Sequence, residues 1–445
     1  MSLSRQQAEQ IFDQVLKYST AEETEVMVTS STFALTRFAN NAIHQNVSEE
    51  GTVLSVRVVT DGRMARASSN KFDEESIRQI CEGVLALARL QPPDPELLPM
   101  PGPQTYRAVN RFFRETAELT PASRAATVAS VIKRAEKNRL TAAGIFSSGT
   151  SAYGLFNSRG LSAFHEETLA EFSVTMLGRD GSGWAKKTSP YWPELEPLEL
   201  AERAAQKALL SKNPQEIEPG KYAVVLEPAA VLDLLGFLVL DFGGLAVHEQ
   251  RSCLTGRVGE KVFGDNISIR DDVFHPSQTG APFDGEGIPR QRVAIVKRGM
   301  VKSLVYARQT AQKLGEQPTG HGFPLPNEYG EAPLNIVMDG ERSSLEDMVK
   351  CTPKGLLVTR FWYIREVDPY QKILTGMTRD GTFWIEDGQL RHGVKNLRFN
   401  QSIVEMLRQV EMLGQPQRTA GEESFEMVVP AMKIREFNFS SLTKY

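Results

Sequence analysis

The chain has 445 residues, 41% of them hydrophobic and 24% charged, with a net charge of −4 at pH 7. That length is too great for one core and points to two or more domains, while the composition excludes a disordered or fibrous chain. Acids and bases are interspersed, which gives no electrostatic reason to expect nucleic acid, since binding it normally needs a basic face.

The segment from Leu3 leads into a polar amphipathic helix rather than a signal peptide, with Ile11, Val15 and Leu16 on one side of Gln6–Tyr18. Glu25–His44 alternates through Val26, Val28, Phe33, Leu35 and Phe38 and predicts two strands of a half-exposed sheet. Asp61-Gly62 predicts a hairpin between Thr52–Val59 and Arg63–Ser68, because that turn needs positive φ. Asp73-Glu74-Glu75 starts a second helix, and six prolines between Gln91 and Gln104 predict an extended linker. The order then recurs: helix Ala122–Asn138, strands Ala142–Phe146, Ser151–Asn157 and Leu161–Leu177, helix Leu198–Leu210. The pattern predicts an internal repeat and an α+β region, an antiparallel sheet flanked by helices, over residues 1–215.

Residues 216–445 read as a β-rich domain with one long buried helix. Tyr222–Glu227 is a short strand, and Pro228 opens the apolar run Ala229–Val247, where a missing N–H costs nothing. Asp241 and several glycines make that run a buried helix, not a membrane span. Strand-like segments follow at Ile267–Ile269, Val293–Val296, Leu304–Tyr306, Leu334–Met338, Gly355–Trp362 and Thr382–Trp384. Ser402–Leu413 predicts a late helix, and Phe425–Val429 and Met432–Phe437 the last strands. The cysteines, Cys81, Cys253 and Cys351, form no CxxC pair, which argues against a disulfide framework and suits a reducing cytoplasm.

The string that carries chemistry is His248-Glu249-Gln250-Arg251-Ser252-Cys253. A histidine and a second soft ligand can hold a metal, with Glu249 as base on its water. On a helix, ligands five residues apart lie about 140° apart, so both reach one ion only if the helix bulges or ends, which Gly256 would allow. Alternatively Cys253 is a small buried hydrophobe and His248 a surface or interface residue. Cys253 as a nucleophile lacks an evident histidine partner. Asp284 and Glu286, flanking Gly285, form either an acid–base pair or a solvated, backbone-capping turn. Thr375, Gly376 and Thr378, read as lying between strands, suit contact with a substrate backbone or a tight turn. Trp362, Tyr363 and Trp384 read as core or interface aromatics, since no basic residues interleave them.

Several strings together resemble the TldD/PmbA family of peptide-processing metallopeptidases: Pro282-Phe283-Asp284-Gly285-Glu286-Gly287-Ile288-Pro289, Leu374-Thr375-Gly376-Met377-Thr378-Arg379-Asp380-Gly381, Val394-Lys395-Asn396-Leu397-Arg398-Phe399-Asn400-Gln401-Ser402 and Arg37-Phe38-Ala39-Asn40-Asn41. The resemblance implies a pair of related subunits. The TldD-type subunit binds zinc through His-Glu-x-x-x-His and a cysteine near the C-terminus, and the TldE/PmbA-type subunit lacks these ligands. Together they cleave unfolded or leader peptides, held as an extended strand. By the same resemblance, His248 and Glu249 match the first ligand and the base, and Cys253 stands where the second histidine belongs. The third ligand should fall within Gln417–Glu422, where no cysteine occurs. Glu422 or His275 would have to replace it.

The expectation is therefore a TldE/PmbA-like subunit, itself non-catalytic, with zinc supplied by a TldD-like partner; self-association into a homodimer is the other assembly. An active zinc peptidase using His248, Cys253 and Glu249, and a protein that captures extended peptides by strand addition without cutting them, are the alternatives. Neither nucleic acid nor membrane is expected as a partner.

Overall fold

Two copies of one pattern build the N-terminal half of the computed structural model, which describes residues 3–422 and 424–443. The first copy is α1 (Arg5–Tyr18), β1 (Glu23–Ala39), β2 (Ala42–Thr60), β3 (Arg63–Ser69) and α2 (Glu74–Leu90). After the single turn α3 (Arg114–Ala117), the second is α4 (Pro121–Lys137), β4 (Thr141–Asn157), β5 (Ser162–Leu177), β6 (Ser182–Ser189) and α5 (Pro197–Leu210). Local chemistry sets the boundaries. Ser4 and Gln7 close a capping box on α1, Asp73 caps α2 and Thr120 caps α4. Asn40-Asn41 and Asp61-Gly62 take positive φ in the two hairpin turns.

The six strands form one sheet in the order β3-β2-β1-β4-β5-β6, with β1 antiparallel to β4 at its centre. The break expected within Glu25–His44 does not occur. β1 runs unbroken through Ser30-Ser31-Thr32 because their hydroxyls find cross-strand partners, Thr32 with Thr150 (2.8 Å) and Ser30 with Thr52 (3.1 Å). The two segments expected in 142–157 likewise merge into β4. Val26, Val28 and Phe38 of β1 share a face with Phe146 and Phe156 of β4. α1 and α2 bury one end of that face, α4 and α5 the other.

The opposite face meets the C-terminal region. Phe283 packs between Tyr106 and Tyr153, with ring centroids 5.2 and 5.5 Å away. Glu25 lies beneath, paired with Arg57 (2.6 Å) and Arg66 (2.6 Å) and almost fully buried. The proline-rich linker contains no helix or strand over residues 91–104 and straps across the C-terminal region, where Arg308 donates to the Pro99 carbonyl (2.7 Å) and, just beyond the linker, Tyr106 donates to the Gly287 carbonyl (2.8 Å).

The C-terminal region is built on β7 (Gly220–Leu226), β12 (Lys354–Asp368), β13 (Ile373–Glu386), β15 (Leu397–Ser402) and β19 (Met432–Leu442). Their pairings close a cycle, β12-β7-β19-β15-β13 and back to β12, a small barrel with β14 (Gln389–Gly393) and β16 (Val410–Leu413) attached. Phe361, Phe399, Phe437 and Phe439 are fully buried there and touch in sequence at centroid distances of 4.8–5.6 Å. A second sheet has the order β10-β9-β8-β11-β18-β17, from β8 (Ile269–Asp271), β9 (Val293–Lys297), β10 (Met300–Val301), β11 (Ile336–Met338), β17 (Gln417–Thr419) and β18 (Met427–Val429). The helices here are short: α6 (Pro228–Leu235), α7 (Gly244–His248), α8 (Arg308–Leu314), α9 (Leu345–Lys350) and α10 (Ile403–Arg408).

The α+β class holds, but three expected elements are corrected. The long helix over Ala229–Val247 is divided into α6, 3-10 turns at Gly236–Leu238 and Leu240–Phe242, and α7. Gly236 and Gly243 lower its helical stability, and the Asp241 carboxylate bonds elsewhere. The late helix stops at Arg408, because Val410 and Leu413 pair with β19. Leu304–Tyr306 forms only a single bridge, Val305 to Gly243. Among the described residues, no helix is long and apolar enough to cross a membrane.

Removing one partner of a buried ion pair leaves the other charge uncompensated. Glu25→Ala strands Arg57 and Arg66, and urea unfolding should show a loss of about 3–5 kcal/mol.

Candidate functional site

α7 carries His248, and one carboxylate fixes where it starts. Glu331, buried, accepts the Leu245 N–H (2.7 Å) through Oε1, and the Ala307 N–H (3.1 Å) and Thr310 hydroxyl (2.8 Å) through Oε2. It thus caps α7 and α8 together. Gly244 allows the close approach: a Cβ there would fall 2.4 Å from the Tyr306 ring.

The helix ends at His248, earlier than Gly256 suggested, because Gln250 turns left-handed (φ 58°) and Arg251 N–H returns to the Ala246 carbonyl (2.8 Å). His248, Glu249 and Gln250 are exposed. Glu249 pairs with Arg251 two residues on (2.6 Å), at the surface, where such pairs contribute little. The chain then turns inward. Cys253 is 5% exposed and packs in the main core; its N–H donates to Asp241 Oδ1 (2.7 Å). Asp241 Oδ2 binds the Lys372 ammonium (2.5 Å), which also holds Glu366 (2.6 Å). Burial, then the Asp241 carboxylate, push the Cys253 thiol well up, away from the thiolate a nucleophile or metal ligand needs.

The two proposed ligands therefore occupy different environments, one on the surface and one in the core. The third-ligand segment contains β17. Arg418 there donates to the Thr188 hydroxyl (3.1 Å) and the Ser277 carbonyl (3.1 Å), and the Gly421 carbonyl accepts from Lys186 (3.0 Å). Lys186 also lies 3.7 Å from Glu422 and 3.2 Å from Glu171. His275 Nδ1 accepts the Ser277 N–H within its own turn (3.2 Å). Among the described residues, no group of three or more His, Cys, Asp or Glu side chains is placed to hold a metal ion. A catalytic zinc needs about three protein ligands, so the residues present do not fit it.

Thr375, Gly376 and Thr378 lie within β13, not between strands. β13 pairs with β12 on one side and β15 on the other: Thr375 faces Arg365 and Asn400, Gly376 faces Phe399, and Thr378 faces Phe361. Thr375 donates to the Phe399 carbonyl (2.9 Å), Gly376 makes room for the Phe399 ring, and buried Thr378 accepts the Leu397 N–H (3.0 Å). Of the three aromatics read as core or interface, Tyr363 is exposed, with the Arg365 guanidinium 4.4 Å over its ring.

The turn Asp284-Gly285-Glu286, open to a solvated reading, is buried: its carboxylates are 2% and 4% exposed. Asp284 accepts the N–H groups of Glu286 (2.9 Å), Ile288 (2.9 Å) and Gly322 (2.8 Å), and Glu286 accepts the Arg308 N–H (3.1 Å). Burial, then the neighbouring Asp284, push Glu286 up to about 7. Sequence reasoning also missed His321 and Asp271. They are fully buried and 3.0 Å apart, off the hydrogen-bonding line, with Thr319 on the other ring nitrogen (2.9 Å). No spacing signal links them, because they lie on separate segments. A cavity of about 510 Å³ opens where β6 and α5 meet β17, lined by Lys186, Lys187, Thr188, Lys207, Glu227 and Arg418.

Glu286 titrates higher in the fold than in the unfolded chain, so its contribution is full below pH 4.5 and is lost as pH rises through about 7. Glu286→Gln should match the parent near pH 4.5 and exceed it by at most about 3 kcal/mol at pH 8, in unfolding measured across that range. Exposure orders the thiols: iodoacetamide followed by mass spectrometry should label Cys351 in the native protein, and Cys81 and Cys253 only on unfolding.

The PmbA/TldA metallopeptidase domain 1 matches residues 24–88, the central domain of that family residues 114–212 and its C-terminal domain residues 219–441. Metalloprotease PmbA of Escherichia coli O157:H7 is 24% identical, over 86% of this chain and 85% of that protein. A metalloprotease TldD homolog of Haemophilus influenzae is 22% identical, over 91% of each. The crystal structure of TldE from Thermococcus kodakarensis superposes with a TM-score of 0.88 at 22% identity, covering 98% of this chain and 100% of that one. With the C-terminal domain alone matching half of its length, the chain belongs to the PmbA/TldA metallopeptidase family.

Proposed function

We propose that this chain is the TldE/PmbA-type subunit of a cytoplasmic peptidase complex that processes unfolded or leader peptides, and that it does no cutting itself. A TldD-type partner supplies the zinc, and this chain supplies part of the cleft that holds the peptide. The observation that carries the reading is the incomplete ligand set: His248 at the surface, Cys253 in the core, and Lys186 against the segment where a third ligand would stand. The likeness to TldE supports the assignment at the level of fold.

Purified without added metal, the chain should carry less than about a tenth of an equivalent of zinc, since three-ligand catalytic sites normally retain theirs. Incubated with unfolded peptides it should cleave nothing alone and cleave with a TldD-type subunit from the same organism. Chelator-sensitive cleavage by the chain alone would overturn the reading in favour of a His248/Cys253 site with Glu249 as base.

A further inference from the structure

The cavity between β6, α5 and β17 is lined by three lysines and three arginines, and the two kinds of cation are matched differently. Each lysine is held by a carboxylate: Lys186 by Glu171 (3.2 Å), Lys187 by Glu196 (2.9 Å) and Lys207 by Glu227 (2.7 Å). Arg203 lies one turn from Glu199 on the exposed side of α5. Arg111 and Arg418 differ. Arg111 donates to the carbonyls of His275 (3.0 Å) and Asn110 (3.3 Å), and its Nε is buried without a hydrogen-bond partner among the described residues. Arg418, with a side chain 8% exposed, donates to the Thr188 hydroxyl, the Ser277 carbonyl and the Thr279 hydroxyl; the Glu426 carboxylate is 3.9 Å away. Glu167 acts on both guanidiniums from farther off, but its Oε2 accepts the Gly280 N–H (2.7 Å) and stands 3.4 Å from the His165 ring.

Two guanidiniums on one cavity, without a carboxylate bonded to either, destabilise each other. Burial lowers the pKa of both, and Arg111 lowers that of Arg418 further. Arginine does not shed its proton to relieve this, so the conflict is resolved by an anion. Of the five N–H groups of a guanidinium, Arg418 spends three on the acceptors named, which leaves donors for a ligand oxygen. Apolar groups line the same cavity: the Phe113 and Tyr191 rings lie 5.4 Å apart at their centroids, with Pro190 and Pro276. The volume of about 510 Å³ suits a small ligand. A neighbouring cavity of about 860 Å³ shares Lys207, Glu227, Pro228 and Gln417 with it, so a chain anchored at the arginines has room to run on along α5. We propose that Arg111 and Arg418 bind a carboxylate whose attached apolar group packs on Phe113 and Tyr191, as the C-terminal residue of a peptide or a free acid of the same kind does. The peptide as source rests on the peptidase reading; the carboxylate site does not.

Titration calorimetry on the full chain tests this with a short peptide ending in phenylalanine, as free acid and as amide, with N-acetylphenylalanine and with inorganic phosphate. The free-acid peptide should bind, and its amide at least about tenfold more weakly, the loss of a charge-assisted hydrogen bond. Arg111→Gln and Arg418→Gln should each abolish the preference for acid over amide. Should either variant unfold, the parent alone decides: a peptide ending in the photoreactive benzoylphenylalanine, as free acid, should cross-link to the segments around Phe113 and Tyr191. N-acetylphenylalanine binding as well as the peptide supports the site and assigns it to a free acid. Equal binding of acid and amide, binding of none of the probes, cross-links elsewhere, or phosphate bound as tightly as the peptide overturns the proposal. Cleavage with a TldD-type subunit by a chain that binds no carboxylate sinks this site and leaves the peptidase reading standing; carboxylate binding without cleavage does the reverse.

Discussion

The Asp241–Lys372 ion pair decides the form of the site. Both groups are almost fully buried, and each engages a further group. Asp241 accepts the Cys253 N–H, and Lys372 holds Glu366 near the end of β12. A buried pair is retained only when further hydrogen bonds satisfy its remaining positions, and here they do. Asp241 lies in the broken stretch between α6 and α7, Lys372 just before β13 in the barrel. The pair fastens that stretch to the barrel. Once Asp241 takes the Cys253 N–H, the residues after α7 must turn inward, and His248 is left outside at the helix end. The split of the would-be ligands into surface and core follows from where one carboxylate finds its ammonium.

Much of the fold was legible because local rules and burial agreed. The capping box at Ser4, the Asp61-Gly62 turn and the two helix–strands–helix runs are each decided by neighbours in sequence, and the central β1–β4 pair joins the runs into one sheet. The errors cluster where a distant partner overrode local preference. Ser30-Ser31-Thr32 reads as a break until Thr150 and Thr52 meet their hydroxyls. The apolar run 229–247 reads as one helix because hydropathy does not register what Asp241 binds. Val410–Leu413 continues a helical pattern but gains a strand partner in β19.

The site was less legible, for the same reason. Spacing identified His248, Glu249 and Cys253 and predicted their awkward geometry, but spacing carries no information about burial. The sequence of Asp284-Gly285-Glu286 suits a surface turn; it is buried because Phe283 beside it packs between Tyr106 and Tyr153 and the Tyr106 hydroxyl reaches the Gly287 carbonyl. Thr375, Gly376 and Thr378 are small because the Phe399 ring and the Leu397 N–H lie against them, a packing requirement that looks in sequence like an opening for ligand.

Two lysines bear on the departures from a zinc ligand set. Beside Cys253, Lys372 supplies the positive charge that buried Asp241 requires and also reaches Glu366. At the segment where a third ligand would fall, Lys186 of the N-terminal sheet reaches the Gly421 carbonyl and stands between Glu171 and Glu422. A cation held at carboxylates stabilises them whether it is a metal or an ammonium, but only the ammonium is fixed by the chain itself. It needs no open coordination position, and it offers none to a water or a substrate. The same residues thus order these loops with ammonium groups that belong to the chain itself. Lys186 adds one further constraint, because it belongs to the N-terminal sheet and its partners to the C-terminal region: the charge that settles the segment around Gly421 also fixes how the two halves of the chain face one another across the cavity at β17.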